Sequence, residues 1–206
     1  MSKTYFIGGA PRIGKTTVIQ ELIRRKPMLA ASTDAIRSVA KGLSPPETNP
    51  RLHKIDRAAF GSDKHVADMK NNPEVALSHE IGEAEETWKS VLDFLSYYQS
   101  DSRDAAVEGV AVMPEQLSKL TYRFRTVFVV NLTDQTETIL EHVSKNPNDW
   151  LRKYDKDTIR TYSSFNLSWN KYFAKEANKY GFPVVEVDTN NFQTSIESAV
   201  AILLKD

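Results

Sequence analysis

The sequence predicts an α/β fold, a three-layer α/β/α sandwich around a five-stranded, mainly parallel sheet. Short apolar runs alternate with longer segments in which apolar residues recur at i, i+3 and i+4, which is typical of parallel strands joined by crossover helices. A glycine-rich stretch, GGAPRIGKTT, lies directly between the first apolar run and the first of the longer segments. At 206 residues the chain is long enough to form a single domain, 1–206, around its own core.

The predicted strands are short runs rich in β-branched, aromatic and other apolar residues. They cover residues 4–8, 28–32, 104–110, 125–132 and 183–188. The helical pattern covers residues 15–25, 34–43, 77–100, 136–146, 155–181 and 192–206. Right-handed crossovers between parallel strands place these helices on both faces of the sheet, which gives the three layers.

Two segments do not fit this alternation. The first, 44–74, carries four prolines and charges of both signs. We interpret 44–76 either as an exposed linking loop or as a small substrate-side loop or subdomain. The second, 145–162, is basic and aromatic, and it is the candidate lid of the molecule.

The charge balance argues against some classes of partner. The 27 basic residues equal the 27 acidic ones, so nothing electrostatic favours nucleic acid or a membrane surface. The absence of cysteine excludes disulfides, zinc–thiolate sites and thiol nucleophiles. The sequence contains neither a signal-peptide pattern nor a run of about 18 apolar residues. We expect a cytoplasmic protein with no nucleic-acid or membrane partner, and a monomer, because the motion of a lid needs no second copy.

The glycine-rich stretch predicts a phosphate-binding loop. Gly9, Gly14, Lys15 and Thr16 match the P-loop pattern G-x-x-x-x-G-K-[ST], and the loop lies between a strand and a helix as that motif requires. Its backbone N–H groups and the helix N-terminus would surround the phosphates, with Lys15 on the β- and γ-phosphates and the Thr16 hydroxyl on Mg²⁺. The predicted nucleotide-binding residues are Gly9, Ala10, Pro11, Arg12, Ile13, Gly14, Lys15, Thr16 and Thr17.

The residues after the second strand favour a kinase over other nucleotide-binding proteins. The N-K-x-D pattern of GTPases is absent, whereas a kinase needs a carboxylate near the acceptor hydroxyl. Asp34 opens the next helix, and Arg37 lies one turn further on the same face. The carboxyl ends of parallel strands form the ligand crevice, so Asp34 could accept the proton of the acceptor and Arg37 could hold an anionic group of it. The alternative is a helix-terminal acid that simply pairs with an arginine.

Two further sets of residues complete the predicted site. Glu108, at the end of the third strand, could hold Mg²⁺ through water or contact the acceptor, and otherwise it is a solvated strand-end acid. Arg152, Lys153 and Arg160 could close over the phosphates from the lid, and otherwise they form a solvated basic face. The predicted catalytic residues are Lys15, Asp34, Arg152 and Arg160.

The order of three motifs resembles a known group of P-loop kinases. GGAPRIGKTT, then STDAIR after the second strand and VEGVAVMP at the third, are similar to 2-phosphoglycerate kinase and, more distantly, to chloramphenicol phosphotransferase, zeta toxins, and shikimate and gluconate kinases. The resemblance implies a nucleoside-monophosphate-kinase-like core that uses ATP and Mg²⁺ and has a mobile basic lid. It places Lys15 on the phosphates, Thr16 on magnesium, Asp34 as the base and Arg37 on the substrate.

These observations predict an ATP-dependent phosphotransferase that acts on a hydroxyl of a small-molecule acceptor. Two alternatives stay open at this point. One is a nucleotide-dependent binding or regulatory protein that keeps the P-loop without transferring phosphate to a small molecule. The other is a nucleotide-sugar or polynucleotide kinase of the zeta-toxin kind.

Overall fold

The computed structural model describes residues 2–55 and 63–205. Within them a five-stranded sheet forms the centre of the molecule, and each of its strand pairings is parallel. Its strands are β1 (Thr4–Gly8), β2 (Leu29–Ser32), β3 (Ala105–Gly109), β4 (Arg125–Val130) and β5 (Val184–Glu186). The strand order is β2-β3-β1-β4-β5, so the first strand is central. The predicted α/β fold is confirmed.

Helices connect the strands and cover both faces of the sheet. They are α1 (Lys15–Arg25), α2 (Thr33–Leu43), α3 (Asp63–Asn71), α4 (Pro73–Ser100), α5 (Pro114–Ser118), α6 (Thr136–Lys145), α7 (Lys156–Lys179) and α8 (Phe192–Leu204). A short 3-10 helix (Trp150–Lys153) precedes α7. Within the described ranges, no helix is both long and apolar enough to cross a membrane.

The alternation of side chains along β1 divides the core in two. Successive side chains of a strand point to opposite faces of the sheet. Phe6 packs with Trp88 of α4 and the other residues of the larger cluster, which lies under α4 and α7. Ile7 packs in the smaller cluster, with Leu22 of α1 and Ile196 of α8. The sheet is therefore the middle of three layers, as the sequence predicts.

The structure differs from the sequence prediction mainly in the segment 44–76. Residues 63–71, for which no helix was predicted, form α3, which packs on α4 and α7 and buries Met69. Helix α4 begins at Pro73, four residues before the predicted 77, because proline suits the first turn of a helix. Residues 56–62 lie outside the described residues, and the substrate-side role of 44–76 stays a prediction.

We predict that Gly109, at the carboxyl end of β3, is required for stability. Its φ is +144°, and a Cβ placed there would lie 1.9 Å from Oγ1 of the buried Thr33. Gly109→Ala should therefore lower the free energy of unfolding by about 1–3 kcal/mol. Gly42 is the matched control, because it lies on the exposed face of α2 with nothing within 4 Å of its added Cβ.

Urea denaturation of both variants tests this prediction. Gly42→Ala should raise the free energy of unfolding by about 0.5–1 kcal/mol, the usual difference between the two residues inside a helix. Equal effects of the two substitutions would show that the close contact of Gly109 with Thr33 does not constrain the fold.

Candidate functional site

The carboxyl ends of three neighbouring strands form the floor of the site. In the register of the sheet, Gly8 of β1 pairs with Gly109 of β3, and Ser32 of β2 pairs with Glu108 of β3. The loop that leads to α1, the first turn of α2 and the residues that follow β3 therefore start at one edge of the sheet. Such an edge is the usual ligand crevice of a parallel α/β sheet.

The glycine-rich loop lies directly against the sheet. At Gly9 the φ is +142°, and a Cβ would lie 2.1 Å from the carbonyl oxygen of Val129, so only glycine fits. Gly14, with φ +92°, is the N-cap residue of α1 and has no side chain to cap it. The first N–H groups of α1 are thus available for an anion, which the helix dipole also favours.

Lys15 is buried beneath this loop, with only 8% of its surface exposed. Its Nζ donates a 2.6 Å hydrogen bond to the carbonyl oxygen of Ala10, so the side chain turns back toward the loop. Burial lowers the pKa of Lys15, while the carboxylates of Glu108 and Asp34 act in the opposite direction. A phosphate on the loop would give this buried charge a stronger partner than a carbonyl oxygen.

Thr16 and Glu108 form the second polar pair of the site. The Thr16 hydroxyl donates to Oε1 of Glu108 at 3.2 Å, and Glu108 is itself 7% exposed. Burial raises the pKa of Glu108, and the charge of Lys15 together with the Thr16 hydroxyl offsets part of that rise. Mg²⁺ binds through one or two carboxylates, substrate phosphates and water, so this oxygen pair fits that ion when a nucleotide is present.

Clusters of the usual metal ligands are absent from the part of the chain that the structure describes. No group of three or more His, Cys, Asp or Glu side chains there could hold an ion by itself. Any Mg²⁺ on Thr16 and Glu108 would therefore need the phosphates of a nucleotide, and water, as its other ligands.

The structure brings Asp34 and Arg37 together, as the sequence predicts. Ser32 caps α2 by accepting a hydrogen bond from the Asp34 backbone N–H, and the Asp34 side chain is 65% exposed. Arg37 Nη1 lies 2.9 Å from Oδ1 of Asp34 and 3.7 Å from Oε2 of Glu83. Glu83 is buried on α4 and also accepts a hydrogen bond from Lys41. Sequence analysis missed Glu83, because nothing local marks it as a partner of α2.

A cavity of about 460 Å³ joins five of the predicted residues: Lys15, Thr16, Asp34, Arg37 and Glu108. Its volume lies within the range of about 300–1,000 Å³ that is usual for small-molecule sites. Five aromatic residues also line it: Trp150, Tyr154, Tyr162, Phe165 and Trp169. Trp150, Tyr154 and Tyr162 belong to the candidate lid 145–162, whereas no functional role was predicted for Phe165 and Trp169.

A second cavity, of about 690 Å³, lies on the other side of the glycine-rich loop. Its residues include Gly14, Asn131, Thr189 and Phe192. The residues that line both cavities are Arg12, Lys15, Thr16, Trp150 and Asn166. The predicted phosphate-binding residues therefore lie at the junction of two spaces that together could hold two reactants.

Arg12 connects the glycine-rich loop to the candidate lid. Its guanidinium makes two hydrogen bonds to the Asp149 carboxylate, at 2.6 and 3.1 Å, and the Asp149 side chain is only 3% exposed. Asp149 also caps the 3-10 helix by accepting from the Leu151 backbone N–H. Burial tends to raise the pKa of Asp149, but these hydrogen bonds outweigh it and lower the pKa. No sequence pattern indicates this pair, whose members are 137 residues apart.

The basic residues of the candidate lid are placed differently from one another. Lys153 lines the first cavity, with its Nζ 5.1 Å from the centre of the Tyr154 ring. Arg160 is exposed and pairs with Asp157 at 3.0 Å. Arg152 is exposed, and neither it nor Arg160 is among the described residues that line the two cavities. The catalytic roles of Arg152 and Arg160 stay predictions.

The fold is shared with solved structures of kinases. The chain is similar to a dephospho-CoA kinase from Campylobacter jejuni, with 14% identity, 98% of each chain covered and a TM-score of 0.50. It is also similar to a shikimate kinase from Bacteroides thetaiotaomicron, with 14% identity, 95% of each chain covered and a TM-score of 0.51. At this identity the similarity establishes the fold alone, and that fold is the one P-loop kinases have.

No protein-family model matches the chain, and no curated protein matches its sequence. The solved structures confirm the wider part of the predicted resemblance, which is to the fold of P-loop kinases. The narrower part, to the group that contains 2-phosphoglycerate kinase, is not confirmed and stays a prediction.

We predict that the ion pair of Arg12 and Asp149 stabilises the fold at neutral pH and not in acid. Because the pKa of Asp149 is lowered on folding, its contribution is present above the unfolded-state pKa of about 4 and is lost as the pH falls through the folded-state value. Asp149→Asn should lower the free energy of unfolding by about 1–3 kcal/mol at pH 7, because the largely buried guanidinium loses its charged partner.

Urea unfolding between pH 7 and pH 3 tests this prediction. The difference between wild type and Asp149→Asn should shrink as the pH falls below 4. Asp157→Asn serves as the control, because its ion pair with Arg160 is exposed and should contribute little at any pH. A difference that stays constant down to pH 3 would show that the Asp149 charge is not what stabilises the pair.

Proposed function

We propose that the chain is an ATP-dependent phosphotransferase that transfers the γ-phosphoryl group of ATP to a hydroxyl of a small-molecule acceptor. The observation that carries the proposal is the junction of two cavities at Lys15 and Thr16. A group-transfer enzyme needs two binding spaces that share the transferred group, whereas a nucleotide-binding switch needs only one. The first cavity adds a carboxylate, Asp34, where the acceptor would bind.

The phosphates of ATP would lie on residues 9–17, with the nucleoside end in the second cavity. Gly14 and Thr189 both line that cavity, which therefore borders the N-terminus of α1 and the residues that follow β5. Lys15 would exchange its hydrogen bond to Ala10 for one to the β- and γ-phosphates. Mg²⁺ held by Thr16 and Glu108 would offset the negative charge that the phosphates bring.

The acceptor would react from the first cavity. Its hydroxyl oxygen attacks the γ-phosphorus, the bond from that phosphorus to the β,γ-bridging oxygen breaks, and ADP leaves with the electron pair. The hydroxyl proton passes to the Asp34 carboxylate, which Arg37 orients at 2.9 Å. Lys15 stabilises the charge that develops on the transferred group. The products are ADP and the phosphorylated acceptor, with the proton on Asp34 released to solvent.

The candidate lid would close over this junction. Trp150 lines both cavities, and Arg152 lies two residues further along the same 3-10 helix. We propose that Arg152 or Arg160 reaches the phosphates when the segment moves, which would add positive charge and exclude water. We further propose that the protein works as a cytoplasmic monomer.

We predict that Lys15 and Asp34 have separable roles. Lys15→Ala should lose binding of MgATP, because the phosphates lose their buried cation. Asp34→Asn should keep MgATP binding and lower acceptor-stimulated turnover by about 10²–10⁴-fold, the usual contribution of a general base. The measurement is calorimetric binding of MgATP together with ADP release in the presence of a pooled panel of hydroxylated metabolites.

Lys89→Ala is the matched control, because that lysine is exposed on α4 and belongs to neither cavity. It should leave both quantities unchanged. Wild-type protein that binds MgATP through Lys15 but shows no acceptor-stimulated turnover would argue against the kinase and for a regulatory P-loop protein.

A further inference from the structure

We infer that the acceptor is an uncharged hydroxylated compound with a planar aromatic or heteroaromatic group, such as a nucleoside. The inference rests on the proposed function and concerns the same site. It differs from the expectation that Arg37 holds an anionic group of the substrate. Two features of the first cavity support the inference: the pairing of its arginines with carboxylates of the protein, and the aromatic residues of its wall.

Arg37 is already neutralised by the protein. It lies between the Asp34 carboxylate, at 2.9 Å, and the buried Glu83 carboxylate, at 3.7 Å. Glu83 also pairs with Lys41, so two cations and two carboxylates form one balanced network at the base of α2. An anionic acceptor would have to draw Arg37 out of this network, which is costly where one of the carboxylates is 2% exposed.

Arg12 is engaged in the same way as Arg37, and the two lysines of the cavity are placed differently. Arg12 makes its paired hydrogen bonds to Asp149, and Lys15 is the residue that receives the phosphates of ATP. Lys153, which is exposed, lies against the ring of Tyr154. The buried carboxylate of Glu108 lines the same cavity. A carboxylate or phosphate on the acceptor would therefore meet a buried carboxylate, while Arg37 and Arg12 are already paired with carboxylates of the protein.

The wall of the cavity is aromatic. Trp150 keeps 44% of its surface exposed, and it packs edge-on against Tyr154 and Tyr162, with ring centres 6.2 and 5.4 Å away and interplanar angles of 82° and 86°. Phe165 and Trp169 of α7 complete this wall and are themselves buried. Aromatic surfaces of this kind favour stacking with a planar ring of the acceptor, and their negative faces do not attract an anionic group.

The acceptor class is tested with pairs of compounds that differ by one anionic group. Suitable pairs, which keep the same primary hydroxyl, are nucleosides and their 3′-monophosphates, and benzyl alcohol and the (hydroxymethyl)benzoates, beside the aliphatic acceptors glycerol, 2-phosphoglycerate and an aminoglycoside. ADP release is measured with purified wild-type protein and MgATP. We expect kcat/KM for the best uncharged aromatic acceptor to exceed that for its anionic partner by at least about 100-fold, as expected for a buried charge without its own counter-ion.

The aromatic wall is tested at Tyr154, which lines the first cavity but not the second. Tyr154→Leu should raise KM for the aromatic acceptor about tenfold and leave KM for ATP unchanged, because stacking of a base on an aromatic ring contributes roughly that factor. Tyr154→Phe, which keeps the ring, should recover most of the loss. Tyr97→Leu is the control, because Tyr97 is an exposed aromatic residue that belongs to neither cavity.

The outcomes separate this inference from the function on which it rests. Stimulation by phosphorylated or carboxylated acceptors, or by the aliphatic ones with no effect of Tyr154→Leu, would overturn the inference and leave the kinase in place. If no compound in either class stimulates ADP release while MgATP still binds through Lys15, the proposed kinase function fails and the inference fails with it. A preference for uncharged aromatic acceptors that Tyr154→Leu weakens would support both.

Discussion

The close fit of the glycine-rich loop against the sheet is the constraint on which the site depends. A Cβ at Gly8 would lie 2.3 Å from the Phe128 ring, and one at Gly9 would lie 2.1 Å from the carbonyl oxygen of Val129. The loop backbone therefore packs directly on β4, where side chains would push it away. Because that backbone is held against the sheet, the N–H groups at the start of α1 keep a fixed position, which reduces the cost of ordering them around an anion.

Burial of charge is the second property that the site depends on. Lys15 and Glu108 are both buried. Burial lowers the pKa of Lys15 and raises the pKa of Glu108, which favours the neutral form of each group, whereas the charge of each group favours the charged form of the other. Lys15 donates a hydrogen bond to the carbonyl oxygen of Ala10, and Glu108 accepts one from the Thr16 hydroxyl. Triphosphate and a divalent cation would give each group a stronger partner of opposite sign. Such partners would relieve part of the desolvation that folding imposes on the two groups.

The sequence predicts those parts of the molecule whose signals are local. Strands and the glycine-rich loop depend on runs of neighbouring residues, so their bounds agree within one or two residues, and Asp34 and Arg37 are close because they share a helical turn. Helix α3 is missed because its apolar residues are too few to mark a period. The contacts of Glu83 with Arg37 and of Asp149 with Arg12 join distant parts of the chain, and only packing brings them together.

The Arg12–Asp149 pair gives the two cavities a common wall. Residues 148–150 border the second cavity, and Trp150, Lys153 and Tyr154 border the first, so one short segment lies beside both cavities. Asp149 fixes the start of the 3-10 helix that carries this segment, and Arg12 fixes Asp149 to the glycine-rich loop. The largely buried pair therefore holds the aromatic wall of the first cavity in a fixed position relative to the glycine-rich loop. The relative arrangement of the two cavities is thus set by a contact between residues that lie 137 positions apart in the sequence.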